Sequence, residues 1–305
     1  MTPADIYLQP EAPDPLLSDE HVRTLIARHV EVASDNVKVD ESGGEARTYL
    51  CGDWVLKTQR PHRLRPRTSL AKEAFILEEI QRQRPLRVPT LKGYGRDGDV
   101  EYEVLTRMPG VTLRDANLSV PARSRILAEV GRELRSLHNL DQVPFVESRL
   151  IPGDDTANDV QARLLGQFDD ACALREDLGS ALPQLTQLRE HVAFSSAATS
   201  SIVVLHSNPG AEHCFVDIVS ESLNGLIDFG DAYRSHPALD VRSWRSFADS
   251  REILEGYASS GDLPEGFLDV WRAGIIVSEL RLLVHDYRTL AEVCTTLEEL
   301  NSDRS

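Results

Sequence analysis

Between stretches of helical periodicity, residues 201–229 break into three short apolar runs. They are SIVVL (201–205), HCFVDI (213–218) and NGLIDF (224–229), separated by polar loops. Runs this short, bounded by Asn, Pro and Gly, predict strands. The loops carry His206, Asn208 and His213 in LHSNPGAEHCFVD, and Asp228 follows 15 residues after His213 in GLIDFGDAYRSHPALD. Short strands fix the ends of such loops and leave their polar side chains accessible, which suits chemistry. On this pattern His213 and Asp228 can both reach one divalent metal. Asp228 supplies the hard oxygen that magnesium prefers, whereas imidazole is a softer and less usual donor.

The first part of the chain reads differently. Residues 1–18 are rich in Pro and Asp, lack periodicity, and predict an extended or poorly ordered leader. A helix follows over about 19–33, with Val22, Leu25, Ile26 and Val30 on one face. Residues 36–58 alternate apolar and polar on both sides of Ser42-Gly43-Gly44, which predicts a hairpin whose glycines let its backbone approach a ligand. Residues 68–83 predict a second helix through Leu70, Ala74, Leu77 and Ile80, and short strands follow near 90–95 and 101–107. TRMPGVTL (106–113) reads as a connector through its Pro109-Gly110 turn.

From Pro121 onward the pattern is largely helical. Ile126, Val130, Leu134 and Leu137 mark one helix, and Val160, Leu164, Phe168 and Cys172 another. Apart from the run at 201–229, helices continue from Pro237 to about 300. The expected class is therefore α+β. A small, mostly antiparallel sheet carrying one helix occupies 19–108, and a mainly helical lobe occupies 109–305.

Charge is unevenly spread. Residues 1–139 hold 21 basic and 21 acidic side chains, while residues 140–305 hold 12 and 28 and no lysine. That field repels nucleic acid and anionic membrane and attracts cations, although an acidic surface also serves solubility. The basic run PHRLRPR (61–67) has no interleaved aromatic, so nucleic acid is not expected as a partner. There is no apolar run of membrane-spanning length and no signal-peptide pattern at the N-terminus. Cys51, Cys172, Cys214 and Cys294 are scattered with no CxxC pair. This points to reduced thiols in a cytoplasmic protein.

The order of His206, Asn208, His213, Asp228 and Asp240 resembles the aminoglycoside phosphotransferase family. That family carries a histidine, any residue and a catalytic aspartate, then an asparagine five residues on and an aspartate-led segment about 15 residues later. The resemblance implies a bilobal, protein-kinase-like fold and phosphorylation of a small-molecule hydroxyl by ATP or GTP with magnesium. It implies nucleotide near Gly43, Gly44, Lys57 and the connector at Arg107, and magnesium on His213 and Asp228. Lys57 in WVLKTQ stands where kinase-like folds hold the phosphates, and Glu73 stands where its paired glutamate is expected. His206 is assigned to bracing the loop. The acidic second half suits a cationic acceptor such as an aminoglycoside.

Three positions depart from the family pattern. His213 replaces the usual asparagine, a feature shared with a subset that includes macrolide kinases. Asn208 replaces the catalytic aspartate, and Ser207 replaces the glycine beside it. An amide accepts a hydrogen bond but is no base near neutral pH. The chain is thus a slow or altered kinase, a pseudokinase that binds nucleotide without transferring phosphate, or a variant inactivated by substitution. Asp231 is open to a role at a second metal or substrate and equally to one as a surface carboxylate. Trp244, Tyr257 and Trp271 are assigned to packing.

Overall fold

The computed structural model describes residues 7–14, 16–41, 43–66, 68–175, 178–195, 201–242 and 246–302. The chain divides into two compact units interleaved in sequence. One comprises Met1–Ala116, Leu140–Ile151 and Glu212–Ala232, and the other Asn117–Asn139, Pro152–Ala211 and Tyr233–Ser305.

The first unit is built on a five-stranded antiparallel sheet. Its strands are β1 (Val37–Asp40), β2 (Ala46–Cys51), β3 (Trp54–Gln59), β4 (Leu91–Asp97) and β5 (Val100–Thr106), in the order β1-β2-β3-β5-β4. Register sorts side chains to the two faces, because alternate residues of a strand point to opposite sides. Tyr49, Cys51, Leu56, Tyr102 and Val104 form one face and pack with Leu17, Val22, Leu25 and Ile26. The last three belong to α1 (Asp19–Ala27), which is shorter than the predicted 19–33. Val30 and Val32 still pack on this core, but from non-helical chain, so the apolar character of Val30 extended the helical pattern past the real end. The sheet therefore carries helices on both faces. On the opposite face lies α2 (Leu70–Gln83), which buries Leu70, Glu73, Ala74, Leu77 and Ile80 at helical spacing.

The described part of the leader is docked. The Leu8 N–H donates to the Leu64 carbonyl at 2.8 Å, and the Leu17 N–H to the Tyr49 hydroxyl oxygen at 3.0 Å. Between them, one Asp14 oxygen lies 2.8 Å from Arg47 Nη2 and 2.7 Å from Arg60 Nη2, and both arginines are buried. Two buried guanidiniums need a carboxylate nearby, and no local periodicity announces that demand. Asp14→Asn is expected to lower stability by about 3 kcal/mol, read from urea unfolding, because it takes the carboxylate charge from Arg60 and leaves Arg47 with Glu41.

Residues 111–112 are more than a connector. They form β6 (Val111–Thr112), which pairs with β8 (Cys214–Asp217), itself paired with β9 (Ser222–Leu226). A further α-helix of this unit is α4 (Val143–Glu147).

The second unit is mainly helical. It contains α3 (Val120–His138), α5 (Ala157–Leu174), α6 (Leu178–Ala181), α7 (Leu185–Ser195), α8 (Phe247–Ala258), α9 (Phe267–Val284) and α10 (Leu290–Ser302). Its strands β7 (Val203–Leu205) and β10 (Tyr233–Ser235) pair antiparallel. The predicted run at 201–229 thus supplies strands to two different sheets. Helices α3 and α8 approach so closely that a β-carbon at Gly131 would meet the Ile253 carbonyl oxygen at 2.0 Å. Pro121 lies in the first turn of α3, and the Ser119 side chain accepts from the Ala122 N–H at 3.3 Å. Trp271 and Tyr257 are buried, while Trp244 lies outside the described residues.

Candidate functional site

The first unit gathers the charged residues singled out in its sequence. Lys57 lies on β3, on the face turned to α2, and its ammonium is 2.5 Å from Glu73 Oε2. The same nitrogen is 3.0 Å from Asp228 Oδ1 and 3.8 Å from Glu103 Oε1. Burial alone would pull the lysine pKa down. The charges of Asp228 and Glu73 outweigh it and hold the ammonium well above the usual lysine value. His213 Nε2 lies 3.4 Å from Asp228 Oδ2. Lys57, Glu73, Asp228 and His213 thus form one connected group.

The loop carrying Asp228 is held from α2 and from the segment before it. The Phe229 N–H donates to Glu73 Oε1 at 3.4 Å, and the Lys72 ammonium to the Ala232 carbonyl at 2.6 Å. Asp231 accepts from the Thr68 hydroxyl at 2.7 Å and pairs with Arg65 at 3.0 Å. Arg65 also pairs with Glu45, beside the glycines of the β1–β2 loop. Asp228 has a φ of 71°, a left-handed conformation that Asp tolerates better than most residues and one found often at functional loops. Its side chain is 45% exposed, against 2% for Glu73, so it is the carboxylate of the group open to a ligand.

The glycine pair divides. A β-carbon at Gly43 would meet the Ala46 carbonyl oxygen at 2.9 Å, so the loop's own turn requires glycine there. Nothing lies within 4 Å of one at Gly44. Arg107 sits just past β5 with an exposed side chain, and its N–H donates to the Asp53 carbonyl at 2.7 Å.

The second unit holds the other loop. Asp240 is fully buried and accepts from the His206 N–H at 2.8 Å and the Ser207 N–H at 2.7 Å. It also lies 2.9 Å from His138 Nε2, while His138 Nδ1 is 2.9 Å from the Tyr257 hydroxyl. A carboxylate only accepts, so in the neutral ring Nε2 carries the proton and Tyr257 donates to Nδ1. Burial raises the Tyr257 phenol to about 12, which keeps it a donor. The Asn208 N–H points to His206 Nδ1 at 3.4 Å. Ser207 has a φ of 73°, in the region that favours glycine.

Two site residues escape a reading of the sequence. His138 follows the apolar stripe of α3, at helical spacing from Leu134, so its placement on the buried face is the available signal. Glu103 sits in the apolar strand EYEVLT, opposite Lys57 in the β3–β5 register. A charged residue in a strand flanked on both sides was the signal there. Among the described residues no cluster of three His, Cys, Asp or Glu side chains is built to hold a metal alone.

Several solved structures share this fold. An aminoglycoside phosphotransferase APH(2'')-Ib with ADP bound is 15% identical, covering 92% of this chain and 95% of that one at a TM-score of 0.60. The GDP complex of aminoglycoside 2'-phosphotransferase-IIIa is 16% identical, covering 95% and 100% at 0.58. A macrolide 2'-phosphotransferase, MphH from Brachybacterium faecium, is 18% identical, covering 92% and 98% at 0.53. No curated protein matches the chain. At these identities the structural likeness speaks for the kinase-like α+β fold. Membership rests on the sequence itself, where the family described as APH, phosphotransferase enzyme family, matches residues 36–269. Covering most of the chain and both of the loops described above, that match makes this protein a member of the phosphotransferase enzyme family.

Proposed function

We propose that this chain binds ATP or GTP and transfers a phosphoryl group to a hydroxyl of a small molecule, with a cationic antibiotic such as an aminoglycoside as the leading acceptor. The observation that carries this is the Lys57 ammonium, held at 2.5 Å by Glu73 and at 3.0 Å by Asp228. Phosphoryl transfer depends mainly on positioning and on neutralising charge on the phosphates, and a fixed, fully charged lysine does both. Glu73 orients the lysine. The glycine loop at Gly43 and Gly44 lies nearby in sequence order, with Arg107 at the end of β5 as a further contact for nucleotide.

Asp228 fits one ligand of a magnesium ion, since it is a hard carboxylate and the exposed member of its group. His213 would complete the protein's share beside it, although imidazole is a softer donor than magnesium usually takes. Phosphate oxygens and water would fill the remaining positions. When bound, the ion would offset charge building on the transferring group.

In the second unit His206 braces the loop, and Asn208 occupies the position that orients the acceptor hydroxyl. Its amide oxygen accepts that hydrogen bond but does not take the proton. This is the specific observation behind a second reading, a pseudokinase that binds nucleotide without transfer. The acidic surplus of residues 140–305 supports a cationic acceptor. So do related folds solved with streptomycin and ATP and with gentamicin. The test is ATP and GTP consumption across aminoglycosides, macrolides and neutral polyols. Turnover with a cationic acceptor supports transfer. Nucleotide binding without turnover on any acceptor supports the second reading.

A further inference from the structure

The carboxyl of Glu103 lies at the bottom of the Lys57 group and has no place in the reading above. It is fully buried, and neither of its oxygens has a hydrogen-bond donor within reach. The nearest cation is Lys57, 3.8 Å from Oε1, which is beyond hydrogen-bonding distance. Strand register fixes this placement, because Lys57 and Glu103 are directly opposed across β3 and β5. The ionisable groups that face it are Glu73 on α2, Lys57 on β3 and Asp228 after β9. An ionised carboxylate there would be buried, without a hydrogen-bond donor, matched only by the Lys57 charge 3.8 Å away, and next to a second carboxylate, an arrangement proteins avoid.

We propose that Glu103 is a positioning residue for Lys57, acting through Glu73 to set where the ammonium stands when nucleotide binds. A proton on Glu103 resolves its burial, since the carboxyl then donates to the Glu73 carboxylate beside it. Burial first, and the Glu73 charge second, push Glu103 well above the ordinary carboxylate range, in keeping with that state. The donated hydrogen bond fixes Glu73 in the arrangement that holds Lys57. Loss of the proton would add a negative charge beneath the lysine, where it competes with phosphate.

The inference rests on Lys57 binding nucleotide, so the experiment separates the two. Titrate ATP and GTP with magnesium against the full chain, and against Lys57→Ala, Glu103→Gln and Glu103→Leu. Glu103→Gln keeps a donor toward Glu73 and is expected to bind like the wild type. Glu103→Leu removes it and is expected to bind about tenfold more weakly, while melting close to the wild type because burying an apolar side chain there offsets the lost hydrogen bond. Wild-type affinity is expected to fall toward alkaline pH, and that of Glu103→Gln to lack this limb, the nucleotide's own titration being common to both. An infrared difference spectrum of wild type against Glu103→Gln at neutral pH is expected to show a protonated carboxyl. Wild-type affinity in Glu103→Leu, with Lys57→Ala weakened, overturns this inference and spares the nucleotide site. Absence of the protonated carboxyl overturns it as well. A wild-type chain that binds neither nucleotide, or binds as well as Lys57→Ala, overturns both.

Discussion

Asn208→Asp is expected to raise the rate of phosphoryl transfer by about 10²–10⁴-fold, the usual range for a positioned general base. Nucleotide affinity should change little, because the Lys57 group belongs to other elements. The backbone that would present the new carboxylate is already fixed. Asp240 receives the His206 and Ser207 N–H groups, and the Asn208 N–H faces His206 Nδ1. The substitution therefore changes the chemistry of one side chain on a prepared loop. Steady-state assays with a common acceptor check it, with kcat as the readout. A native chain that already turns over fast, with no gain in Asn208→Asp, would mean that this position carries no base function here.

Asp240→Ala should lower stability by roughly 3–5 kcal/mol, since it leaves several buried donors without an acceptor. These are the N–H groups of His206 and Ser207 and the Nε2–H of His138. That loss is a large part of the ~5–15 kcal/mol that holds an ordinary domain together. Ser207 makes the dependence sharper. Its φ of 73° is one that a non-glycine residue keeps only under constraint, and the bond to Asp240 supplies it. Urea unfolding followed by circular dichroism reads the effect. Asn208→Asp, on the same loop but with a part-exposed side chain, serves as the mild comparison and should shift the midpoint little.

The two charged loops show how far sequence goes and where it stops. Lys57 and Glu73 were singled out through the family resemblance, one in the strand WVLKTQ and the other on the helix that follows. Pairing them needed the fold, since 16 residues separate them and only the sheet–helix packing brings ammonium and carboxylate together. Asp240 was legible from its order in the chain. What it does was not, because its partners are backbone groups whose direction depends on how β7 ends. Glu103 and His138 stayed hidden for a common reason. Each is a polar residue on a face that packing buries, and alternation alone does not say which face of a central strand or helix is closed to water. The described part of the leader is irregular chain, docked where the sequence offered no periodic signal. It lacks periodicity because two distant arginines hold it through Asp14, not an apolar stripe.

The reach of α1 was overestimated because Val30 is apolar for the same core but reaches it from irregular chain. Periodicity reports burial, and a helix is only one way to achieve it. The glycine pair was legible as a turn, yet only Gly43 is required by backbone contact.

The central claim is that Lys57, Glu73 and Asp228 form a site for nucleotide and magnesium. Calorimetric titration of ATP and GTP into the wild type and Asp228→Ala, each with and without magnesium, tests it most directly. The wild type should bind saturably and more tightly with magnesium, and Asp228→Ala should lose the magnesium-dependent gain. The same magnesium dependence in both proteins, or no binding by the wild type under either condition, would contradict it.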